Sequence, residues 1–383
     1  MVKLGNVCTV VSGTTPKSNH LEYWDGNINW VTPAELKDDS DIIFESQRKI
    51  TEKAVADTSM KSFPAGTVLL SSRAPIGKVA IAGVEMYCNQ GFKNLICSEA
   101  IYNRYLYHYL KSKTDYLNSL GRGATFKEIS KNIVESIEIP LPPINEQRKI
   151  AAVLDKVSDL IAKRRQQLDK LGELVKSRFI EMFGDPVQNP FEWSTRPLLE
   201  MGYCKNGMNF HTGDHGIEMH CLGVGDFKDY SIIDGTNHLP IVSLNEVPPE
   251  ESMLQDGDIV FVRSNGNKAL VGRCLVVYPR NTPTIYSGFC IRYRLTSKEV
   301  NRIYLLRVLK TDSMRERMMG RGANIQNLNQ QIIATLDIPM PPLELQEQFA
   351  TFVEQIDKLK CAIQKNFEKL KTLKNALMQE YFG

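Results

Sequence analysis

Between Tyr105 and Gly184 the chain is written out a second time from Tyr304 to Gly383, and this repetition limits the fold more than any single motif. Gly121-Arg122-Gly123-Ala124 returns as Gly320-Arg321-Gly322-Ala323, Ile139-Pro140-Leu141-Pro142-Pro143 as Ile338-Pro339-Met340-Pro341-Pro342, and Phe183-Gly184 as Phe382-Gly383. Every pair is 199 residues apart, and about 80 residues align without a gap. One structural unit is used twice.

Each copy reads as a Gly-rich turn, a short apolar strand closed by prolines, and a long helix. No proline interrupts Ile144 to Phe183, and its one glycine is Gly172. A helix of that length would extend about 60 Å, beyond the width of a small domain. Ile150, Val157 and Leu171 keep a seven-residue register, with Val153, Leu160 and Leu174 between them. In the second copy Phe349, Ile356, Ile363, Leu370 and Leu377 step by seven. These are seams that want a helical partner, and each helix is the obvious mate of the other. Arg164 and Arg178 stand in the first seam where the second has Ile363 and Leu377. That asymmetry favours pairing first with second, and arginines snorkelling from a seam edge account for it equally well.

Upstream of each helix the text is mixed. Val7-Cys8-Thr9-Val10-Val11, Ile28-Asn29-Trp30-Val31, Val68-Leu69-Leu70 and Val79-Ala80-Ile81 read as strands. Ile101 to Leu120 reads as one helix whose Tyr102, Tyr105, Tyr109 and Tyr116 form a packed face. Leu4 and Gly13 are nine apart, as are Leu198 and Gly207, while the loops that follow differ. The fold class expected is α+β: two mixed α/β domains separated by two long helices that form an intramolecular antiparallel coiled coil, with pseudo-two-fold internal repetition. The divisions fall at 1–143, 144–184, 185–342 and 343–383.

No apolar run is long enough for a membrane span and no export signal opens the chain, so a cytoplasmic protein is expected. The eight cysteines are scattered without a Cys-x-x-Cys pair, which argues for reduced thiols. Net charge is only +3, but it is sorted. Arg263 to Arg321 holds 13 Lys/Arg against three Asp/Glu, and Asp185 to Val262 holds three against 13. Such sorting suits a polyanion-facing surface, although any single Lys or Arg is as well explained by a solvated helix face. Two similar domains with dissimilar basic loops fit recognition of two elements on an extended polyanion, duplex DNA above all. Tandem duplication with neutral loop drift would leave the same text.

The segment Pro140-Leu141-Pro142-Pro143-Ile144-Asn145-Glu146-Gln147-Arg148-Lys149-Ile150-Ala151 resembles the start of the helical region of type I restriction-modification specificity (S) subunits, and Pro339 to Ala350 resembles its second occurrence. Ser71-Ser72-Arg73-Ala74-Pro75-Ile76-Gly77, Asn89-Gln90-Gly91-Phe92 and Gly121-Arg122-Gly123-Ala124-Thr125 resemble the framework of their target-recognition domains. The likeness runs the length of the chain. It implies that each domain reads one half of a bipartite DNA site, and that the helices set the spacing and dock two copies of an adenine methyltransferase subunit. A translocating restriction subunit can join. S-adenosylmethionine, ATP and Mg would then belong to those partners, with no cofactor or metal in this chain. A fused restriction-methyltransferase polypeptide is an alternative partner. The second domain departs from the pattern by lacking the Thr-Pro and Ala-Pro-Ile-Gly motifs, and Leu345 replaces Glu146.

A chain that modified or cut DNA alone would carry a catalytic signature. Adenine methylation needs an Asn/Asp-Pro-Pro-aromatic loop, and the nearest text, Asn189-Pro190-Phe191, is one proline short. Asp25 with Glu35 and Lys37 mimics a nuclease triad only at loose spacing, and a stand-alone nuclease or a coiled-coil scaffold without nucleic acid are the competing classes. His211, His215, His220, Cys221 and Cys204 match no zinc spacing and suit base or phosphate contact better. The expected DNA contacts of the first domain are Thr14, Thr15, Lys17, Arg73, Lys78, Gln90, Arg122 and Lys127. Those of the second are Asn206, Arg263, Asn265, Asn267, Lys268, Arg321, Asn324 and Gln326. Lys and Arg on such loops position phosphates, and the Asn and Gln amides are candidates for adenine. Arg122 and Arg321 recur in both domains, which favours phosphate or framework roles for that pair.

Overall fold

The structure, a computed structural model, describes residues 1–37, 41–73, 75–123, 127–211, 213–227, 231–319 and 327–383. The chain divides into two compact units, Met1–Leu168 with Ile363–Gly383, and Asp169–Ala362.

The first unit is built on a five-stranded sheet in the order Cys8–Ser12, Lys93–Cys97, Val68–Leu70, Val79–Ala82, Ile42–Ile43. All neighbours are antiparallel except the last pair, which is parallel. Val68, Leu70, Val79 and Ile81 face a core shared with the helix Asn103–Ser112, while Leu69, Ala80 and Ala82 face a second core with Phe63, Met86 and Phe92. Burial on both faces explains why these strands are continuous apolar runs instead of alternating ones. A three-stranded sheet, Lys49–Ile50, Trp24–Val31, Tyr87–Cys88, lies beside them.

The second unit repeats this order strand for strand. Its five-stranded sheet runs Gly202–Asn206, Cys290–Leu295, Asp258–Val262, Cys274–Tyr278, Ile232–Asp234, and its three-stranded sheet runs Ile241–Leu244, Ile217–Leu222, Thr284–Tyr286. Gly13 and Gly207 mark the same spot in both. A Cβ there would lie 1.9 Å from the Asn89 carbonyl in one unit and 2.1 Å from the Ser287 carbonyl in the other, so only glycine lets the two backbones cross. The expected helix 101–120 is two helices, Asn103–Ser112 and Thr114–Leu120, broken at Lys113. Tyr105 and Tyr109 are buried as expected, whereas the break turns Tyr116 outward to 47% exposure.

The two long helices span Ile144–Phe183 and Leu343–Phe382. Their pairing is antiparallel. In the first unit Ile150 and Leu154, from the start of one helix, share a core with Phe382 from the end of the other. In the second unit Phe179 and Phe183 share a core with Phe349 and Val353. The buried stripe of the first helix runs through Gln147, Ile150, Ala151, Leu154 and Val157 and resumes at Val175, Phe179 and Phe183. Val153, Leu160 and Leu174, placed in the seam by sequence, are instead 41%, 37% and 46% exposed. The alternate seam position is one residue further on: from buried Ile150 the stripe steps four residues to Leu154 and three to Val157. Arg178 also leaves the seam, with its guanidinium 2.9 Å from Glu181 on the surface.

Each helix start is clamped by a buried glutamine. Gln147 accepts from the Tyr102 amide at 2.8 Å and donates to the Pro142 and Ala100 carbonyls at 2.8 and 3.0 Å. Gln346, its repeat partner, accepts from the Asn301 amide at 2.8 Å and donates to Pro341 and Glu299 at 2.8 and 3.5 Å. Tyr105 and Tyr304 likewise each donate to a proline carbonyl, Pro140 and Pro339, at 2.9 Å. The helix ends are plugged by aromatics: Phe382 meets Tyr105 with centroids 5.2 Å apart, and Phe183 meets Tyr304 at 4.8 Å.

Charge separates the two junctions. In the first unit Asp155 accepts from Arg104 at 3.0 Å and from His108 at 2.6 Å, and Arg104 reaches Asp41 at 3.2 Å. Burial opposes ionisation of Asp155, but hydrogen bonds from His108 and Arg104 outweigh it and hold the carboxyl below its usual range. Burial dominates at His108 and pushes its pKa down despite the carboxylate. In the second unit the positions of His108 and Lys111 are Arg307 and Lys310, both depressed by burial.

Candidate nucleic-acid interface

In the first unit five loops meet at one end of the sheets. The Thr14 amide donates to the Cys88 carbonyl at 2.9 Å, Thr15 bonds Gln90 through its hydroxyl, and the Trp30 indole donates to the Thr14 carbonyl at 3.0 Å. The ring of Trp24, which donates to the Lys17 carbonyl at 3.3 Å, stands edge-on to Trp30 and carries the Arg48 guanidinium 3.8 Å from its centroid. Next to these, the Ser72 amide donates to the Gly91 carbonyl at 2.7 Å, and the Ile129 amide to the Ser72 carbonyl at 3.0 Å. Arg122 and Glu128 exchange backbone hydrogen bonds at 3.0 Å each way, and Lys127 flanks Gly121. Lys93, buried, reaches the Glu128 carboxylate at 3.1 Å and so ties Glu128 to the sheet. Lys78 donates to the Leu36 carbonyl at 3.0 Å. Thr14, Thr15, Lys17, Arg73, Lys78, Gln90, Arg122 and Lys127 are thus brought into one cluster.

The second unit keeps the frame. Arg263 donates its amide to Phe289 and accepts from Leu328, both at 2.8 Å, as Ser72 does with Gly91 and Ile129. Ser264 bridges Asn327 as Arg73 bridges Glu128. These bonds fix the correspondence: Arg73 matches Ser264, and Arg263 matches Ser72, so the two arginines stand one place apart on the frame. A one-residue slip along an extended strand points the side chain to the opposite face. The link to the next strand also lengthens, since the Ser71 amide pairs with the Lys78 carbonyl but that of Val262 with Arg273. Arg273, not Lys268, therefore occupies the place of Lys78. The sequence held a sign of this, because Gly272-Arg273 repeats Gly77-Lys78, both glycines at positive φ of 76° and 91°.

Asn206, Arg263, Asn265, Asn267 and Lys268 lie on these loops. Asn265 accepts from the Asn267 amide at 2.8 Å and Asn267 from that of Ala269 at 3.1 Å, while Gln90 accepts from Thr15. Each of these oxygens has one lone pair engaged and keeps a second, so the three amides still carry the donors and the acceptor that adenine requires. Asn206 accepts at 3.5 Å from Gln330. Arg321, Asn324 and Gln326 lie outside the described residues. The basic run from Arg263 is not one surface either. Arg292 is fully buried, Arg294 is held by Asp258 at 2.7 Å, and Arg307 and Lys310 are desolvated. Arg292 and Arg294 share one face of the strand Cys290–Leu295, and Arg307 and Lys310 are taken up by packing at the end of the helix Arg302–Leu309.

Among the described residues no group of three or more His, Cys, Asp or Glu could hold a metal. His211 and Asp214 form an exposed pair, and His220 bonds the Leu239 carbonyl at 3.0 Å. Glu35 caps its own turn through Thr32 and accepts from the Gln47 amide at 2.6 Å. None of the described helices is long and apolar enough to cross a membrane.

The sequence model of the type I restriction modification DNA specificity domain matches residues 1–171 and again 224–375. The chain belongs to this family. The specificity subunit of the type I restriction enzyme MjaIX of Methanocaldococcus jannaschii is 29% identical, with 98% of this chain and 90% of the relative covered. That of StySPI from Salmonella potsdam is 26% identical over 89% of this chain and 77% of the relative. The fold matches the S subunit of M. genitalium with a TM-score of 0.58 at 15% identity, covering 100% of this chain and 95% of that one. It also matches a chain solved in work on complex assembly and conformational transition of the type I R-M system, with a TM-score of 0.62 at 20% identity and coverage of 99% and 96%. Members of the specificity family recognise DNA sequence and carry no catalytic centre, and this chain is a DNA-specificity protein of that kind.

Proposed function

We propose that each domain reads one half of a bipartite duplex site and that the two helices set the distance between the halves. The observation that carries this is one hydrogen-bonded loop frame used twice, through Ser72 and Arg263, with different side chains mounted on it. The working divisions are 1–143 and 185–342 for the readers and 144–184 and 343–383 for the helices. Phosphate contacts come from Arg73, Lys78, Arg122 and Lys127 in one half and from Arg263, Lys268 and Arg273 in the other, with Arg321 a candidate from its repeat position.

Two methyltransferase subunits dock on the helices. Support comes from a second apolar stripe that recurs in the repeat: Val153, Leu160 and Leu174 answer to Phe352, Leu359 and Leu373, and all but Phe352 are exposed by 37% or more. Exposed apolar residues on one heptad position, with the leucines two heptads apart, suit a further helix. S-adenosylmethionine belongs to those partners, and ATP and Mg to a translocating restriction subunit where one joins, all in the cytoplasm.

The test is to produce the chain with and without its methyltransferase and to map methylated adenines. Methylation is expected only with both present, at a two-part motif. Replacing residues 1–143 by a relative's domain should change one part alone. Change in both parts, or methylation by the chain by itself, refutes the proposal. Leu160→Asp should lower the bound methyltransferase from two copies to one, and Leu160→Asp with Leu359→Asp should remove both, as native mass measurement will read.

A further inference from the structure

Phe289 is 60% exposed in the loop cluster of the second domain. Its backbone is pinned. The carbonyl accepts from the amides of Arg263 at 2.8 Å and Ser264 at 3.3 Å, and its own amide donates to the Ser287 hydroxyl at 3.3 Å. Just before it, Gly288 donates to the Met208 carbonyl at 2.6 Å, and a Cβ on Gly288 would fall 1.9 Å from Asn209 Oδ1. A large ring is therefore held outward on a backbone with no room to retract. In the first domain the same place is Gly91, where a Cβ would already lie 3.1 Å from Pro33. The ring is particular to the second reader, and its backbone is bonded to the start of the loop that carries Arg263, Asn265, Asn267 and Lys268.

Resting on the DNA-reading proposal above, we infer that Phe289 is a specificity-determining contact of the second half-site, meeting the 5-methyl group of one thymine. The polar and cationic side chains of the Arg263–Lys268 loop suit base edges and phosphates, whereas an exposed ring suits an apolar group. Thymine is the base that presents an apolar group in the major groove, and an aromatic side chain is a known partner for it. A fixed backbone makes the contact selective, because a ring that cannot fold away loses its packing when the methyl is absent.

The experiment uses the full chain with its methyltransferase on its mapped site, with each thymine of the second half replaced in turn by uracil, which lacks only the methyl. At one position wild type should bind about fourfold more weakly, the worth of one buried methyl-sized group. Phe289→Ala should be indifferent to uracil there, with the first half of the motif and the melting curve unchanged, and Phe289→Leu should keep part of the sensitivity. The inference is overturned if wild type tolerates uracil at every thymine of the second half, or if Phe289→Ala remains as sensitive as wild type. Wild-type binding to no site at all would instead refute the DNA-reading proposal.

Discussion

Replacing Gln147 by leucine isolates the clamp that seats the first long helix. The change leaves three partly buried backbone groups without their present partner: the Tyr102 amide and the Ala100 and Pro142 carbonyls, all now bonded at 2.8 to 3.0 Å. Each such group costs about 1–3 kcal/mol when unmet, and the leucine regains about 2 kcal/mol of apolar transfer, so a net loss of about 3 kcal/mol is expected. Gln346→Leu should cost about 1 kcal/mol less, since one of its three bonds is already stretched to 3.5 Å. Urea unfolding of the full chain gives the magnitudes, and amide exchange at Tyr102 and Asn301 shows which clamp has opened. A cost under about 1 kcal/mol for Gln147→Leu, or a larger one for Gln346→Leu, would refute the reasoning. Gln147→Glu adds a sharper arm: a carboxylate facing two carbonyls should be worse at pH 8 than at pH 5.

Arg292 is buried with no hydrogen-bond partner on any of its guanidinium nitrogens and only the Tyr203 ring at 5.1 Å; Arg292→Met should therefore raise stability by about 2 kcal/mol in thermal unfolding. His108 has a depressed pKa in the fold, so protons bind the unfolded chain more readily. Its contribution is fully present above the unfolded value near 6.5 and is lost as pH falls below it. His108→Gln should flatten stability between about pH 6.5 and pH 5. Arg73→Ala should reduce the slope of log affinity against log salt by about 1 without altering the motif, as binding titrations at several salt concentrations will read.

The frame of the protein was legible because repetition and periodicity are written along the chain. Both long helices begin and end where prolines and the Phe-Gly pair put them, and the strands follow the β-branched runs. The seam position was misplaced by one residue because Val153 and Leu154, like Leu160 and Ile161, are adjacent apolar residues, and spacing alone does not say which of each pair turns inward. The loops were less legible. Arg73 and Arg263 are alike in type but stand one place apart on the frame, because position there is set by which amide bonds which carbonyl across the sheet. Phe289 escaped notice because a Phe in a β-branched stretch reads as core, and only the fixed backbone around Gly288 shows that it faces out. The Asn and Gln candidates were found, but their engaged oxygens depend on turns that composition does not reveal.

The loop frame limits how specificity can change hands. Arg73 and Arg263 stand one place apart on that frame and so leave the strand on opposite faces. Point exchange cannot carry a preference from one reader to the other. Only a cassette that includes the flanking hydrogen-bonded residues, from Ser71 through Lys78 or from Val262 through Arg273, moves the side chain together with the direction in which it points.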